Sequence, residues 1–250
     1  REITLLGPNV NAYNFESKKL SDLIFEVSKI KNLRRIRYTT SHPRDFTDDL
    51  IYAHKKCEKL MPLIHLPIQS GSNQILEAMN RKHTTEEYLE ILEKIKIANP
   101  NIEFSSDFII GYPGEKIDDF KATMKLMENV KFINSYSFIY SARPGTPAFS
   151  LDKINQKEAK SRLIKFQNLS EKIKINYKRN QIGKTVKVLF ENKIKNENKY
   201  FGRDEHFNSV VVEGNDDIVG NIKSVKISKV NQSTLFGKVT SDQNQTNYAA

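Results

Sequence analysis

Cysteine is almost missing from this 250-residue chain, which has one, Cys57. A single thiol excludes an intrachain disulfide framework and suits a reducing compartment. Long apolar runs are missing too, since no stretch approaches the roughly 20 apolar residues a membrane helix needs. The chain opens on "REITLLGPN", with no initiator Met. It has no charged lead, apolar segment and small-residue cleavage site, so nothing reads as a signal peptide. Negative charge is scarce: 30 Asp and Glu stand against 40 Lys and Arg, a formal net charge of +10. That excess fits a polyanionic partner, nucleic acid first, or else a surface generally rich in lysine. The histidines, at 42, 54, 65, 83 and 206, stand in no tight metal-ligand spacing, so no metal site is expected.

What is present is a regular alternation. Apolar runs begin near residues 3, 35, 63, 102 and 133, with helical patterns between them. Ser17 is expected to cap a helix carrying Leu20, Leu23, Ile24, Val27 and Ile30 on one face. A second helix should begin near Thr47, with Asp48 and Asp49 in its first turn, where negative charge suits the helix dipole. Cys57, seven residues after Leu50, falls on that helix's apolar face and reads as a packed residue. Thr84 and Glu87 form a capping-box pattern, and Phe120, Met124 and Met127 mark a further helix. Strands and helices in this order predict successive βα units of a parallel sheet, curled by right-handed crossovers into part of a barrel. Five units are too few to close a barrel of eight. From Asn155 a long helix places Ala159, Leu163, Phe166, Ile173 and Tyr177 along one side. Beyond Gly183 the pattern becomes short alternating strands with Gly and Asn turns, which indicates a small antiparallel β-barrel. The expected organisation is an α/β partial parallel barrel over 1–154, a connecting helix over 155–182, the small barrel over 183–240 and a polar tail over 241–250.

Three stretches carry more than fold: "HLPIQSGSNQILEAMNRKHT" (65–84), "SSDFIIGYPGE" (105–115) and "SARPGTPA" (141–148). With "EITLLGPNVNAY" and "TTSHPRDF" they resemble, in order, the radical-SAM methylthiotransferases, nearest the tRNA-modifying branch that makes 2-methylthio-N6-isopentenyladenosine. The resemblance implies a radical-SAM barrel followed by a TRAM domain, an OB-like RNA-binding barrel. It implies S-adenosylmethionine and two [4Fe–4S] clusters as cofactors, and transfer of a methylthio group to C2 of the modified adenosine next to the anticodon. In the family a C-x3-C-x2-C loop and a preceding domain supply the cluster thiolates; both are absent here, so the chain reads as a fragment, inactive by itself. The implied partner is a tRNA anticodon stem-loop, with an electron donor and a sulfur donor that no residue pattern identifies. A cytoplasmic protein, monomeric at full length and off the membrane, completes the expectation.

Ligands of parallel α/β folds sit at the C-terminal ends of strands. Those ends, 7–9, 39–41, 69–72, 111–114 and 141–143, nominate Gly7, Asn9, Gln69, Ser70, Gly111 and Arg143. By resemblance the first of these ends meets the SAM amino group, Gln69 and Ser70 lie near its ribose or methionine part, and residues 109–111 lie against adenine. Pro8 stands where the family usually has Gln. Asp107 is unusual within a buried parallel strand and reads as a polar site residue or the partner of an arginine. Arg143 could hold a carboxylate or phosphate, or stabilise its own loop. In the small barrel, Phe190, Tyr200, Phe201, Phe207 and Phe236 interleave with basic residues. Lys187, Arg203, Lys223 and Lys226 are the expected RNA contacts, with outward aromatics stacking on unpaired bases. Two other readings stay open: the same chemistry on threonylcarbamoyladenosine in tRNA or on a ribosomal protein, and a non-catalytic RNA-binding module. An ordinary TIM-like metabolic enzyme fits poorly, because no catalytic acid/base set is present.

Overall fold

The computed structural model describes residues 1–240; the tail expected over 241–250 lies outside the described residues. The chain divides into two units, residues 1–174 and 175–250. The division falls inside the long helix, between the boundaries expected at 154 and 182.

In the first unit, five parallel strands carry the sheet: β1 (Glu2–Leu5), β4 (Arg35–Tyr38), β5 (Leu63–His65), β6 (Glu103–Ile110) and β7 (Asn134–Ile139). β1 pairs with β4, and β5, β6 and β7 form a second run. Backbone bonds at Ile36 join the two, its N–H reaching the Lys59 carbonyl at 2.7 Å and its carbonyl accepting from Met61 at 2.9 Å. Helices α1 (Leu20–Ser28), α2 (Asp48–Lys56), α3 (Asn73–Ala78), α4 (Thr85–Ala98) and α5 (Ile117–Val130) lie between strands, and α6 (Gln156–Arg179) follows β7. The Thr84–Glu87 capping box forms as the sequence predicts, each residue's side chain accepting from the other's backbone N–H.

Two local expectations need correction. Ser17 does not cap α1: it lies at φ +63° in the turn of a small hairpin, β2 (Asn14–Phe15) with β3 (Lys18–Lys19). The helix begins instead at Leu20, with Asp22 accepting from the Lys19 N–H at 2.9 Å. The run from Leu63 is a ladder only to His65, because Pro67 has no N–H to give. Its hydrogen bonding nevertheless continues, as the Ile68 N–H donates to Ser106 Oγ at 3.0 Å and the Gln69 N–H to the Asp107 carbonyl at 2.9 Å.

Alternation along β6 separates core from site. Phe108 and Ile110 are fully buried under the helices, Phe108 packing 4.7 Å from the Phe166 ring of α6. Asp107 and Ile109 point the other way and stay partly open.

The second unit closes five strands into a barrel in the order β10–β12–β11–β8–β9 and back to β10. These are β8 (Thr185–Lys193), β9 (Lys199–Arg203), β10 (Ser209–Glu213), β11 (Ile222–Val230) and β12 (Thr234–Val239). The barrel is not wholly antiparallel: β10 and β12 run parallel, Val211 opposite Phe236, which is how five strands can close. Gly202 and Gly237 are required for closure, since a Cβ would come 2.4 Å from the Leu189 carbonyl and 2.3 Å from the Lys226 carbonyl.

His54, buried on α2, shares a 2.6 Å hydrogen bond with the Tyr38 hydroxyl and stacks on Phe46. Burial pushes its pKa down to about 3. The unfolded chain therefore takes up a proton that the folded chain refuses, so this site's contribution is complete above about pH 6.5 and is lost as pH falls toward 3. His54→Phe should be less stable at pH 7 yet lose less stability between pH 6.5 and 4. Denaturant melts across that range check this, and parallel curves for the two proteins would contradict it.

Candidate functional site

Two cavities open where the strands of the first unit end. The larger, about 770 Å³, has apolar walls from Ile109, Tyr112, Phe138 and Tyr140. The smaller, about 400 Å³, is lined by Asn9, Thr39, Ser41, His42 and His65 among others. They share Gln69, Arg81 and Asp107. Gln69 is held at φ +78° by backbone bonds on both sides, to the Asp107 carbonyl and from the Ile109 N–H, each 2.9 Å. Tyr112 and Tyr140 meet edge to face, centroids 4.9 Å apart, and the Tyr112 hydroxyl donates to the Ala78 carbonyl at 2.8 Å. An aromatic corner fixed in this way presents flat apolar surface beside polar groups.

The smaller cavity is polar and incompletely paired. Asn9 Nδ2 donates to Asp45 at 2.6 Å, and its Oδ1 is buried without a partner. Burial pushes the Asp45 carboxyl up, but hydrogen bonds from Asn9 and Arg44 outweigh it and leave the group below its ordinary range. The buried Ser41 hydroxyl also has no partner. His42 meets His83 edge to face at 5.5 Å. His83 is held neutral, its pKa lowered to about 4 by burial and then by the charges of His42 and Arg81. His65 lies 3.5 Å from Asp107 and 3.0 Å from the Ser105 hydroxyl. Buried atoms without partners are costly unless a ligand or water meets them.

Of the residues nominated by sequence, Asn9, Gln69, Asp107 and Arg143 line these cavities, Arg143 from an exposed loop at the edge of the larger. Gly7, Ser70 and Gly111 line neither. Ser70 is buried against Thr123 and accepts from the Ser72 N–H at 3.2 Å. Gly111, at φ +74°, is closely approached by α6: a Cβ there would come 2.9 Å from that of Ala159. Its N–H donates to Glu115 at 3.1 Å, and Glu115 is held by Arg162 of α6 at 2.6 Å. Arg162 also bonds the Glu115 carbonyl and Glu158. Burial raises the Glu115 pKa against this pairing. Arg81 and Tyr140 join the site although sequence reasoning singled out neither; Ser41 and Tyr112 lie in strand ends it marked, without being nominated themselves. The available signal for Arg81 was its place in "MNRKHT", a loop arginine just before a helix cap.

The barrel of the second unit divides its aromatics between core and surface. Phe190 and Tyr200 fill the core, while Phe207 is exposed and Phe201 and Phe236 are half-buried. Arg203 lies over both Phe207 (4.2 Å) and Phe201 (5.2 Å) and pairs with Glu191 at 3.3 Å. Lys187 donates to Ser224 at 2.8 Å, and Lys223 is half-buried. Lys226 and Lys238, both exposed, stand directly opposite each other across β11 and β12. Like charges facing one another across strands are unfavourable in the absence of an anion.

Removing one partner of a buried ion pair costs about 3–5 kcal/mol. Arg162→Met should therefore lower the unfolding free energy of the chain by roughly that amount, and Glu115→Gln added to it should restore part of the loss. Chemical denaturation of the three proteins checks this; a loss in Arg162→Met no larger than for a surface arginine would contradict it.

Comparison with known proteins agrees with this geometry. The Radical SAM superfamily pattern matches residues 1–127, and the TRAM domain pattern residues 179–240. The chain is 53% identical over 244 residues to a tRNA-2-methylthio-N(6)-dimethylallyladenosine synthase of Pelagibacter ubique, covering 96% of this chain and 55% of that protein. It is 48% identical over 245 residues to the synthase of the same name from the Wolbachia of Brugia malayi, covering 95% and 55%. The chain thus spans about half the length of the curated relatives it matches. A solved structure of coproporphyrinogen III oxidase from Escherichia coli, described as a radical SAM enzyme, covers 95% of this chain and 59% of its own at a TM-score of 0.52 and 11% identity, a likeness of fold. A parallel sheet whose cavities lie at its strand ends, a TRAM barrel later in the same chain and a sequence close to tRNA methylthiotransferases make this chain a member of the radical SAM superfamily.

Proposed function

We propose that the first unit binds S-adenosylmethionine across the two cavities and that the terminal barrel holds tRNA. Together they would serve methylthiolation of N6-dimethylallyladenosine beside the anticodon. The observation that carries this reading is the pair of cavities sharing Gln69, Arg81 and Asp107. One is apolar and sized for a nucleoside; the other is polar with unpaired buried groups. A molecule with an adenosine at one end and a charged amino acid at the other matches both. Ile109, Tyr112 and Tyr140 would pack against adenine, and Asp107 would accept from ribose hydroxyls. When bound, S-adenosylmethionine supplies the radical chemistry of the superfamily; this chain's residues bind and orient it. An iron–sulfur cluster finds no ligand set here. Cys57 is the only cysteine, buried at the end of α2, and no group of three His, Cys, Asp or Glu among the described residues is placed to hold a metal.

S-Adenosylhomocysteine at saturating concentration should raise the melting temperature of the chain, because a ligand that binds only the folded state stabilises it. In Tyr140→Ala the shift should shrink to less than half at the same concentration. No shift in the wild-type chain would contradict the reading.

For the barrel, the opposed Lys226 and Lys238 support a phosphate-binding surface, with Phe207 and Arg203 offering stacking area for an unpaired base. An anticodon stem-loop should bind weakly, with affinity falling linearly against salt on log–log axes. Lys226→Gln with Lys238→Gln should reduce the slope by about 2, one for each phosphate no longer neutralised. An unchanged slope in the double variant would remove this surface from the account.

A further inference from the structure

Every residue from 12 to 19 is exposed, and two of them carry large aromatic rings, Phe15 at 60% and Tyr13 at 37% exposure. They belong to the β2–β3 hairpin, where Phe15 stands directly opposite Lys18 and Asn14 opposite Lys19. Opposed residues of a hairpin point to the same face, and so do residues two apart along extended backbone. Tyr13, Phe15 and Lys18 therefore share one face, and Asn14 and Lys19 the other. Among the described residues neither ring meets another ring, and Lys18 has no hydrogen-bond or ion-pair partner.

The back and the base of the hairpin are fixed. Lys19, on the back, reaches Asp49 of α2 at 3.1 Å, and Asp49 also accepts from the Ser21 hydroxyl at 2.6 Å. At the base Asn11 is buried and bonded both ways to His42, donating to its carbonyl at 2.9 Å and accepting from its N–H at 2.8 Å. The Val10 N–H donates to the Thr40 carbonyl at 3.0 Å. Thr40 and His42 line the smaller cavity, as do Pro8 and Asn9 just before the hairpin. The two rings are thus presented from a fixed support at the rim of that cavity, so little ordering remains to be paid when something binds them.

Flat rings beside an unanswered cation suit a partner that combines flat faces with regularly spaced negative charge, which is unpaired nucleic acid. A duplex fits poorly, because its bases are already stacked on one another. An apolar protein surface fits poorly too, because it would cover the Lys18 charge without pairing it, and the net charge of +10 favours a polyanion. We infer that the β2–β3 hairpin is a contact for a single-stranded RNA loop: Tyr13 and Phe15 stack on unpaired bases at the rim of the smaller cavity, and Lys18 meets a phosphate beside them. This rests on the reading of RNA as the partner and adds to it a contact within the first unit, independent of the terminal barrel.

The test titrates the 250-residue chain with two RNAs, an anticodon stem-loop carrying 2-aminopurine at an unpaired position and a blunt duplex of the same stem. Binding of the stem-loop should quench the 2-aminopurine fluorescence, the signature of a stacked base. Tyr13→Ala combined with Phe15→Ala should lose most of that quenching and weaken the stem-loop about 5- to 100-fold, the range for removing stacking on an unpaired base. The duplex should change by less than about twofold. Tyr13→Phe combined with Phe15→Tyr should behave as wild type, since each keeps a flat ring. Lys18→Gln should lower the salt slope for the stem-loop by about 1, whereas the double alanine variant should leave the slope unchanged. Unchanged affinity and quenching in the double alanine variant would overturn the inference and leave the barrel as the RNA site. Equal weakening of stem-loop and duplex would also overturn it. So would a wild-type chain that self-associates until Phe15 is replaced by alanine, which would give this face to a second copy. A wild-type chain that does not bind the stem-loop at all defeats both this inference and the RNA reading beneath it.

Discussion

The register of β6 against its neighbours decides where the chemistry of this chain can sit. Asp107 faces Tyr136 across β7, and its carbonyl takes the N–H of Gln69 at 2.9 Å. With that register Phe108 and Ile110 go under the helices, and Asp107 and Ile109 go into the cavities. A slip of one residue would bury the carboxylate among Phe132 and Phe166 and expose two large apolar side chains. The cost of burying an unpaired charge makes that arrangement inaccessible. Pro67 contributes by ending the regular ladder, and Ser106 contributes by taking the N–H of Ile68 in its place. Gln69, at positive φ, then brings the end of β5 back toward β6 at the point both cavities share.

Charge is handled in opposite ways on the two sides of the larger cavity. Behind it, Arg162 and Glu115 are buried, paired and tied to Gly111, so they fix the turn after β6 against α6. In front of it, Arg81 has no hydrogen-bond or ion-pair partner among the described residues, and burial lowers the pKa of His42 and His83 beside it. The first arrangement stabilises a wall. The second leaves a charge facing the cavities. The barrel shows the same contrast: Arg203 is engaged by Glu191 and two phenylalanine rings, whereas Lys226 and Lys238 confront each other across a strand pair.

Much of the architecture was legible because it rests on short-range chemistry. The five parallel strands, the Thr84–Glu87 cap and every strand of the terminal barrel follow from apolar alternation and turn residues. The Ser17 cap failed because two residues at positive φ made a hairpin turn there, and Lys19–Asp22 supplied the helix start instead. The parallel β10–β12 pair was invisible because barrel closure is a long-range property. Among the cavity-lining residues, Asn9, Gln69, Asp107 and Arg143 were nominated from strand ends and a misplaced carboxylate. Ser70 and Gly111 carry the same sequence signals, yet Thr123 and Ala159 occupy the space around them. Arg81 escaped notice because lacking a partner is a fact of three dimensions that no spacing announces, and Ser41 lay in a marked strand end with nothing to single out its hydroxyl.

A crystal structure of the chain grown with S-adenosylhomocysteine tests the central claim most directly. The account predicts adenine against Ile109 and Tyr140, with the amino-acid end in the smaller cavity beside Asn9 and Arg81. Density for the ligand outside these cavities, or its amino-acid end turned away from the smaller one, would contradict it.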